Sequence, residues 1–348
     1  MERSSQSLFN PASINNHSSL TNSTADAEIT TLVYMTEPAD FDAKQIILAV
    51  LFVIVGVIGL VGNILILYFL SKKESVPFLQ SSPFLRNFYF YLKSLALSYI
   101  PTCLISVPLV SIQIIFHEFQ NGWPCRVVRF VNVAFNCISL NNLIVINTER
   151  FLSTRDVPKT FSCSTVRKLV YAAWLSGFLI GLLTAATTNG IRHDVNATHY
   201  TVVCKPDTSY LPYRVIVTGV TLIQLVIPIT ALICINIILA RRAWKMGKRR
   251  IDIQQDNVLR ATMRSHQIKI TYTLVFVTLA FVVPYLSILS YLVFTVVAKF
   301  QGDFVIRHFS WVVLYSSGAL NFIVHLVQMK AFRVFLMKRF CSNGGENS

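Results

Sequence analysis

Charge is scarce in this chain of 348 residues: 14% of positions carry Asp, Glu, Lys or Arg, against roughly 25% in soluble globular proteins. Hydrophobic residues fill 53% of it, Phe alone occupying 25 positions. A soluble fold of this length has no way to bury so much apolar side chain beneath a wetted surface, which excludes the soluble two-domain reading that the length invites. Glycine and proline, 13 and 12, are too few for collagen, and the same composition excludes disorder and coiled coil. Seven cysteines are too few and too scattered for a disulfide scaffold, and no CxxC or Cys/His spacing suggests a metal. HExxH, GxSxG and paired mid-span carboxylates are missing, so neither catalysis nor a cofactor is expected. The first 43 residues are polar and lack the short apolar core of a cleavable signal; the first span is expected to direct its own insertion. What remains is an integral membrane protein.

A bilayer core of about 30 Å takes roughly 20 helical residues per crossing. Seven stretches qualify: 44–70, 84–116, 125–148, 169–188, 213–240, 270–298 and 309–329. The third is the least greasy, with Asn132, Asn136, Asn141, Asn142 and Asn147. Amides hydrogen-bond between helices, so this span is expected at the centre of the bundle. The fold class is therefore an all-α membrane protein, a bundle of seven transmembrane helices.

The net charge of +15 does not point to nucleic acid, because the bases cluster in short loops between apolar stretches. Twenty-one of the 31 bases fall on one side, in the segments after spans one, three, five and seven. Cytoplasmic flanks are basic, which places the tail inside and the acidic amino-terminal segment outside. The sequons at Asn16, Asn22 and Asn196 all lie on the side this rule makes extracellular. The run Arg241 to Arg250 also suits the anionic inner leaflet, so membrane lipids count as partners. Lys93, inside span two, is expected to snorkel towards the cytosol, with pairing to Glu149 as an alternative.

Span three ends in Thr148-Glu149-Arg150-Phe151. Alone, an acid and a base at a membrane edge serve as a snorkelling anchor. At the other end of the same helix stands Trp123-Pro124-Cys125, and Cys204 lies in the loop between spans four and five. With seven spans and an outside amino terminus, the chain resembles the rhodopsin-like (class A) family of G-protein-coupled receptors, as a divergent member. The resemblance runs from about Lys44 to Cys341. It is carried also by Gly62-Asn63, Leu95-Ala96, Trp174, Pro228, Pro284 and Asn321, one landmark set per helix, and by 330–336, which is similar to the family's short amphipathic eighth helix. It implies a Cys125–Cys204 disulfide, G-protein coupling through Glu149, Arg150 and Phe151, acylation of Cys341, and plasma-membrane localisation. Its domain plan is a glycosylated extracellular tail (1–43), the bundle (44–329), and an amphipathic helix with a short cytoplasmic tail (330–348).

The departures are as specific. Tyr99 stands where the family has an Asp, and the Asn-Pro-x-x-Tyr stretch is here Asn321-Phe322-Ile323-Val324-His325. Val282 replaces the indole ahead of Pro284, Asn236 replaces a tyrosine after Pro228, and Arg264 replaces an acid at the base of span six. Arg150 is thereby left with only its neighbour Glu149 as an expected ion-pair partner.

Polar residues in the outer half of such a bundle are expected to line a pocket. Arg129, Asn132, Val133 and Asn136 share one face of span three at helical spacing; Tyr285 and Leu289 on span six, and His308, Trp311 and Tyr315 on span seven, complete the candidate ligand-binding set. Each has an alternative role in plain interhelical packing. Asn132, in place of an Asp, disfavours amines, and Tyr315, in place of a lysine, excludes retinal. Arg126, Arg129, Lys299 and Arg307 at the mouth favour an anionic group or pair with Asp207 or Asp303. Tyr200 to Cys204 alternates like a strand; a hairpin lid favours a peptide over a small anionic molecule. The expected function is an extracellular-ligand receptor with a heterotrimeric G protein, and arrestin, as cytoplasmic partners. A receptor-like protein without conventional coupling, and a transporter or channel, are the alternatives.

Overall fold

A computed structural model describes residues 33–34, 43–72, 83–116, 118–155, 159–194, 199–252, 258–297 and 304–340. Among them, seven helices are long and apolar enough to cross a bilayer. They are α1 (Ala43–Ser71), α2 (Pro83–Pro101, continued through Thr102–Ser106 to Val107–Ile115), α3 (Gly122–Ser153), α4 (Cys163–Ala186), α5 (Leu211–Thr221, continued through Leu222–Val226 to Ile227–Asp252), α6 (Val258–Val297) and α7 (Phe304–Gln328). A short helix, α8 (Lys330–Phe340), follows. Strands β2 (Thr188–Asp194) and β3 (His199–Pro206) form an antiparallel hairpin between α4 and α5, as the alternation at Tyr200 to Cys204 suggests. A two-residue strand, β1 (Val33–Tyr34), adds to it in parallel, Val33 opposite His199.

The hydropathy reading found every span but cut several short. Helix α4 begins at Cys163, α5 continues to Asp252 and α6 starts at Val258, so Arg167, Lys168 and the run from Arg241 to Arg250 lie on helical turns and not in loops. Hydropathy registers only the part of a helix that lipid covers, whereas Lys and Arg are good helix formers in water. The true starts are set by caps. Asn121 accepts from the Gly122 N–H, and Ser162 from the Thr165 N–H.

Helix α3 is the most enclosed of the seven. Its asparagines explain why, since three of them tie it to four neighbouring helices. Asn141 donates to Ser176 of α4 and accepts from Gln224 of α5. Asn142 accepts from Ser94 of α2, which itself accepts the Trp174 indole N–H of α4. Asn147 donates to Thr278 of α6 and accepts from Asn236 of α5. In lipid such bonds have no competing water, and they fix the rotation of α3 against four helices at once.

Close approach depends on glycine. Gly177 and Gly181 let α4 lie on α3, a Cβ at Gly181 falling 2.8 Å from Ala134. A Cβ at Gly62 would overlap the Phe322 ring of α7. Gly62→Ala is therefore expected to lose about 1–3 kcal/mol through overpacking. Gly219→Ala, where an added Cβ meets nothing within 4 Å, should not lower the thermal midpoint of the purified protein.

Two helices carry a widened turn just before a proline. The Val107 N–H bonds the Thr102 carbonyl ahead of Pro108, and the Ile227 N–H bonds the Leu222 carbonyl ahead of Pro228, each spanning five residues where a plain helix spans four. Proline has no N–H and its ring presses on the carbonyl four back, so the extra residue relieves both faults. At the end of the bundle, α8 buries Phe332, which meets Phe69 at 5.3 Å, while Arg333 donates to the Leu326 carbonyl and caps α7. Lys330, Arg333, Lys338 and Arg339 are exposed on this helix.

Candidate functional site

The hairpin end is built on α3. Cys125, in its first turn, is disulfide-bonded to Cys204 of β3, the Cα atoms 5.7 Å apart. Arg126 Nε donates to the Thr188 carbonyl (3.3 Å), Arg129 Nη2 to the Cys204 carbonyl (3.0 Å), and the Cys204 N–H to Gln120 Oε1 (3.1 Å). The pairing of these arginines with Asp207 is not formed. Asp207 accepts from the Ser209 N–H and hydroxyl, which hold its carboxyl below the usual range. Lys299 and Asp303 lie outside the described residues.

Below the hairpin, the Arg129 guanidinium sits 5.8 Å from the Trp311 ring centroid. Trp311 stacks on Tyr315, and Tyr315 meets Phe52 of α1. Asn132 and Asn136 are buried on the same face of α3, with Val133 half-buried between them. Tyr285 is buried and stacks on Phe281 at 4.2 Å, beside Pro284. His308 is half-buried one turn before Trp311. Leu289, half-buried on α6, shares no described hydrogen bond or ring contact with this group.

At the opposite end of α3, Arg150 is 1% exposed. It donates through Nε and Nη2 to the Thr271 hydroxyl of α6. Glu149, equally buried, takes its partners elsewhere: Oε1 accepts from Asn87 of α2 (2.8 Å) and from the Phe161 N–H (3.2 Å). The expected Glu149–Arg150 pair is thus absent, because successive residues on a helix point about 100° apart. Lys93 does not reach Glu149 either; it is half-buried and makes no described ion pair. Phe151 lies under the Arg242 guanidinium at 4.8 Å, and Arg242 also donates to Thr154 (3.1 Å).

The family profile described as 7 transmembrane receptor (rhodopsin family) matches residues 62–324. The chain belongs to the rhodopsin family of seven-transmembrane receptors. Neurotensin receptor type 1 of Homo sapiens is 26% identical over 214 residues, covering 60% of this receptor and 50% of its own length. Its Rattus norvegicus counterpart is 23% identical over 247 residues, covering 69% and 55%. Melanopsin-B of Gadus morhua is 26% identical over 139 residues, 38% of this receptor and 21% of its own length. The receptor spans about half the length of the neurotensin receptors it matches.

Family landmarks take up definite bonds in this receptor. Asn63 donates to the Gly59 and Gly318 carbonyls and accepts from Asn321, joining α1 to α7. His325, in the place of the tyrosine, hydrogen-bonds the Asn321 carbonyl through Nδ1. Asn236, also in a tyrosine's place, reaches across to Asn147. Sequence reasoning missed Asn87, Thr271 and Thr278 as partners of α3. A search for an acid opposite Arg150 passes over a hydroxyl, and no sequence signal marks Thr271 among the β-branched residues of α6. Asn16, Asn22, Asn196 and Cys341 fall outside the described residues.

Proposed function

We propose that this receptor binds an extracellular ligand beneath the hairpin and passes the event to a heterotrimeric G protein, with arrestin as a second cytoplasmic partner. The amino-terminal segment is read as extracellular, the tail as cytoplasmic, and the plasma membrane as its location. One observation carries the reading: Arg150 is buried beneath α6 and hydrogen-bonded to it. Thr271 holds it directly, and one turn deeper Asn147 bridges α5 and α6. The Asn147 bonds to Thr278 and Asn236 join neutral groups and exchange partners without separating charge, so that part of the latch opens at modest cost and closes again. A ligand shifts that equilibrium by its difference in affinity for the two states and by nothing more. Opening frees a groove for a partner helix. A peptide is favoured over a small anionic molecule because the hairpin is a lid pinned to one side by its disulfide, and because neurotensin receptors stand among the relatives.

Arg150→Gln is expected to keep surface expression and to abolish the nucleotide exchange that synthetic peptide pools evoke on co-expressed G protein. Unchanged exchange would overturn the coupling. It would instead favour the second reading, a receptor that binds without conventional signalling, which Val282 and His325 at the altered switch positions support.

A further inference from the structure

Among the described residues, the half of the bundle beneath the hairpin holds a cation without a counter-charge. Arg129 spends Nη2 on the Cys204 carbonyl, but its Nε–H is buried and bonds nothing. The acids among the described residues do not reach it. Asp194 pairs with Arg192 at 3.0 Å, Asp207 is taken by Ser209, Glu118 is exposed, and Glu149 and Asp252 lie at the other end of the bundle. A half-buried guanidinium with its Nε–H sealed from water and unbonded is costly, which makes the position a standing attractor for an anion.

The surroundings narrow the anion. The Tyr315 and Tyr285 hydroxyls are both buried without a partner, Tyr315 within electrostatic reach of Arg129 and Tyr285 of Tyr315. Together with the Nε–H they make up to three unspent donors on neighbouring side chains. A carboxylate, all acceptor and no donor, matches that set; an amide or an ammonium does not. The rings of Trp311, Tyr315 and Phe52 supply an apolar wall beside it.

We propose that Arg129 receives a carboxylate of the ligand, assisted by the Tyr315 hydroxyl, with the rest of the ligand against the Trp311–Tyr315 wall. The proposal rests on reading the region beneath the hairpin as the ligand site. The carboxylate of a peptide terminus and that of a small organic acid share this chemistry. Because the guanidinium also holds the Cys204 carbonyl, the anion is gripped directly under the lid.

The test uses the full-length receptor in lipid nanodiscs and reads thermal midpoints. The probes are benzoate against benzamide, and a pool of N-acetylated dipeptides with free carboxylates against the same pool amidated. Acids are expected to raise the midpoint and the matched amides not. The apparent affinity for the acid should weaken roughly ten- to hundredfold in Arg129→Gln and less in Arg129→Lys, which keeps the charge. Tyr315→Phe should weaken it by about tenfold or less. Comparing acid with amide inside each variant cancels any change in basal stability. A response to the dipeptides alone assigns the carboxylate to a peptide, and a response to benzoate alone to a small organic acid. Equal effects of acid and amide, no effect of either, or acid selectivity surviving Arg129→Gln would overturn the proposal. Nucleotide exchange plays no part in this readout. Acid selectivity persisting in a receptor that fails to couple would sink the signalling reading and leave the carboxylate site standing.

Discussion

Cys204→Ser is expected to lower unfolding stability by about 4 kcal/mol, close to the chain-entropy value for a bridge closing some 80 residues. The separation between Cys125 and Cys204 is 79 residues. That figure is an upper estimate, since helices α3 and α4 inside the loop restrict the unfolded chain already. The remaining ties between hairpin and α3 are the Arg126, Arg129 and Gln120 bonds, each worth about 1 kcal/mol in exchange for water. They do not replace a covalent link. Thermal unfolding in nanodiscs measures the loss, and Cys125→Ser/Cys204→Ser should be no worse than either single change, because both remove one bond. A drop below about 1 kcal/mol would show that the lid holds itself in place.

Asn147→Ala is expected to raise ligand-independent nucleotide exchange by on the order of tenfold. The amide donates to Thr278 and to the Leu143 carbonyl and accepts from Asn236. Thr278 and Asn236 keep bonds to their own helices, at Leu274 and Leu232, so neither is orphaned by the change. The cost to the closed arrangement is then roughly 1–2 kcal/mol, which by population shift multiplies the open fraction by about 5–30. Adding Arg150→Gln should silence the excess exchange. If Asn147→Ala leaves basal exchange at the parental level, the amide bridge is structural support for α3 and the latch lies elsewhere.

The seven spans and the central place of α3 were legible because lipid leaves so little freedom. Runs of apolar residues must cross, and five amides in one span must face protein. The hairpin was legible from Tyr200 to Cys204, and the disulfide through the family resemblance. The partners of the buried polar groups were not. Which helix Asn141, Asn142 or Asn147 touches depends on rotation and depth, and successive residues there reach α4 and α2. Glu149 and Arg150 show the same limit, since adjacency in the chain suggested a pair that the helix turns apart, towards Asn87 and Thr271. The pairing of β1 with β3 rests on two residues in a polar segment, too short for any periodicity to show.

The widened turn at Thr102–Ser106 makes α2 one amino acid too long for its own staircase. Removing any one residue from it would let an ordinary helix form, yet would swing the outer piece, 107–115, by about 100° about its axis. Val107 and Val110, now buried in the cluster with Leu48 and Phe52, would then turn away from α1. Position-by-position transfer of mutations between this chain and a relative lacking the surplus residue goes astray beyond Pro101, although the letters on either side still align.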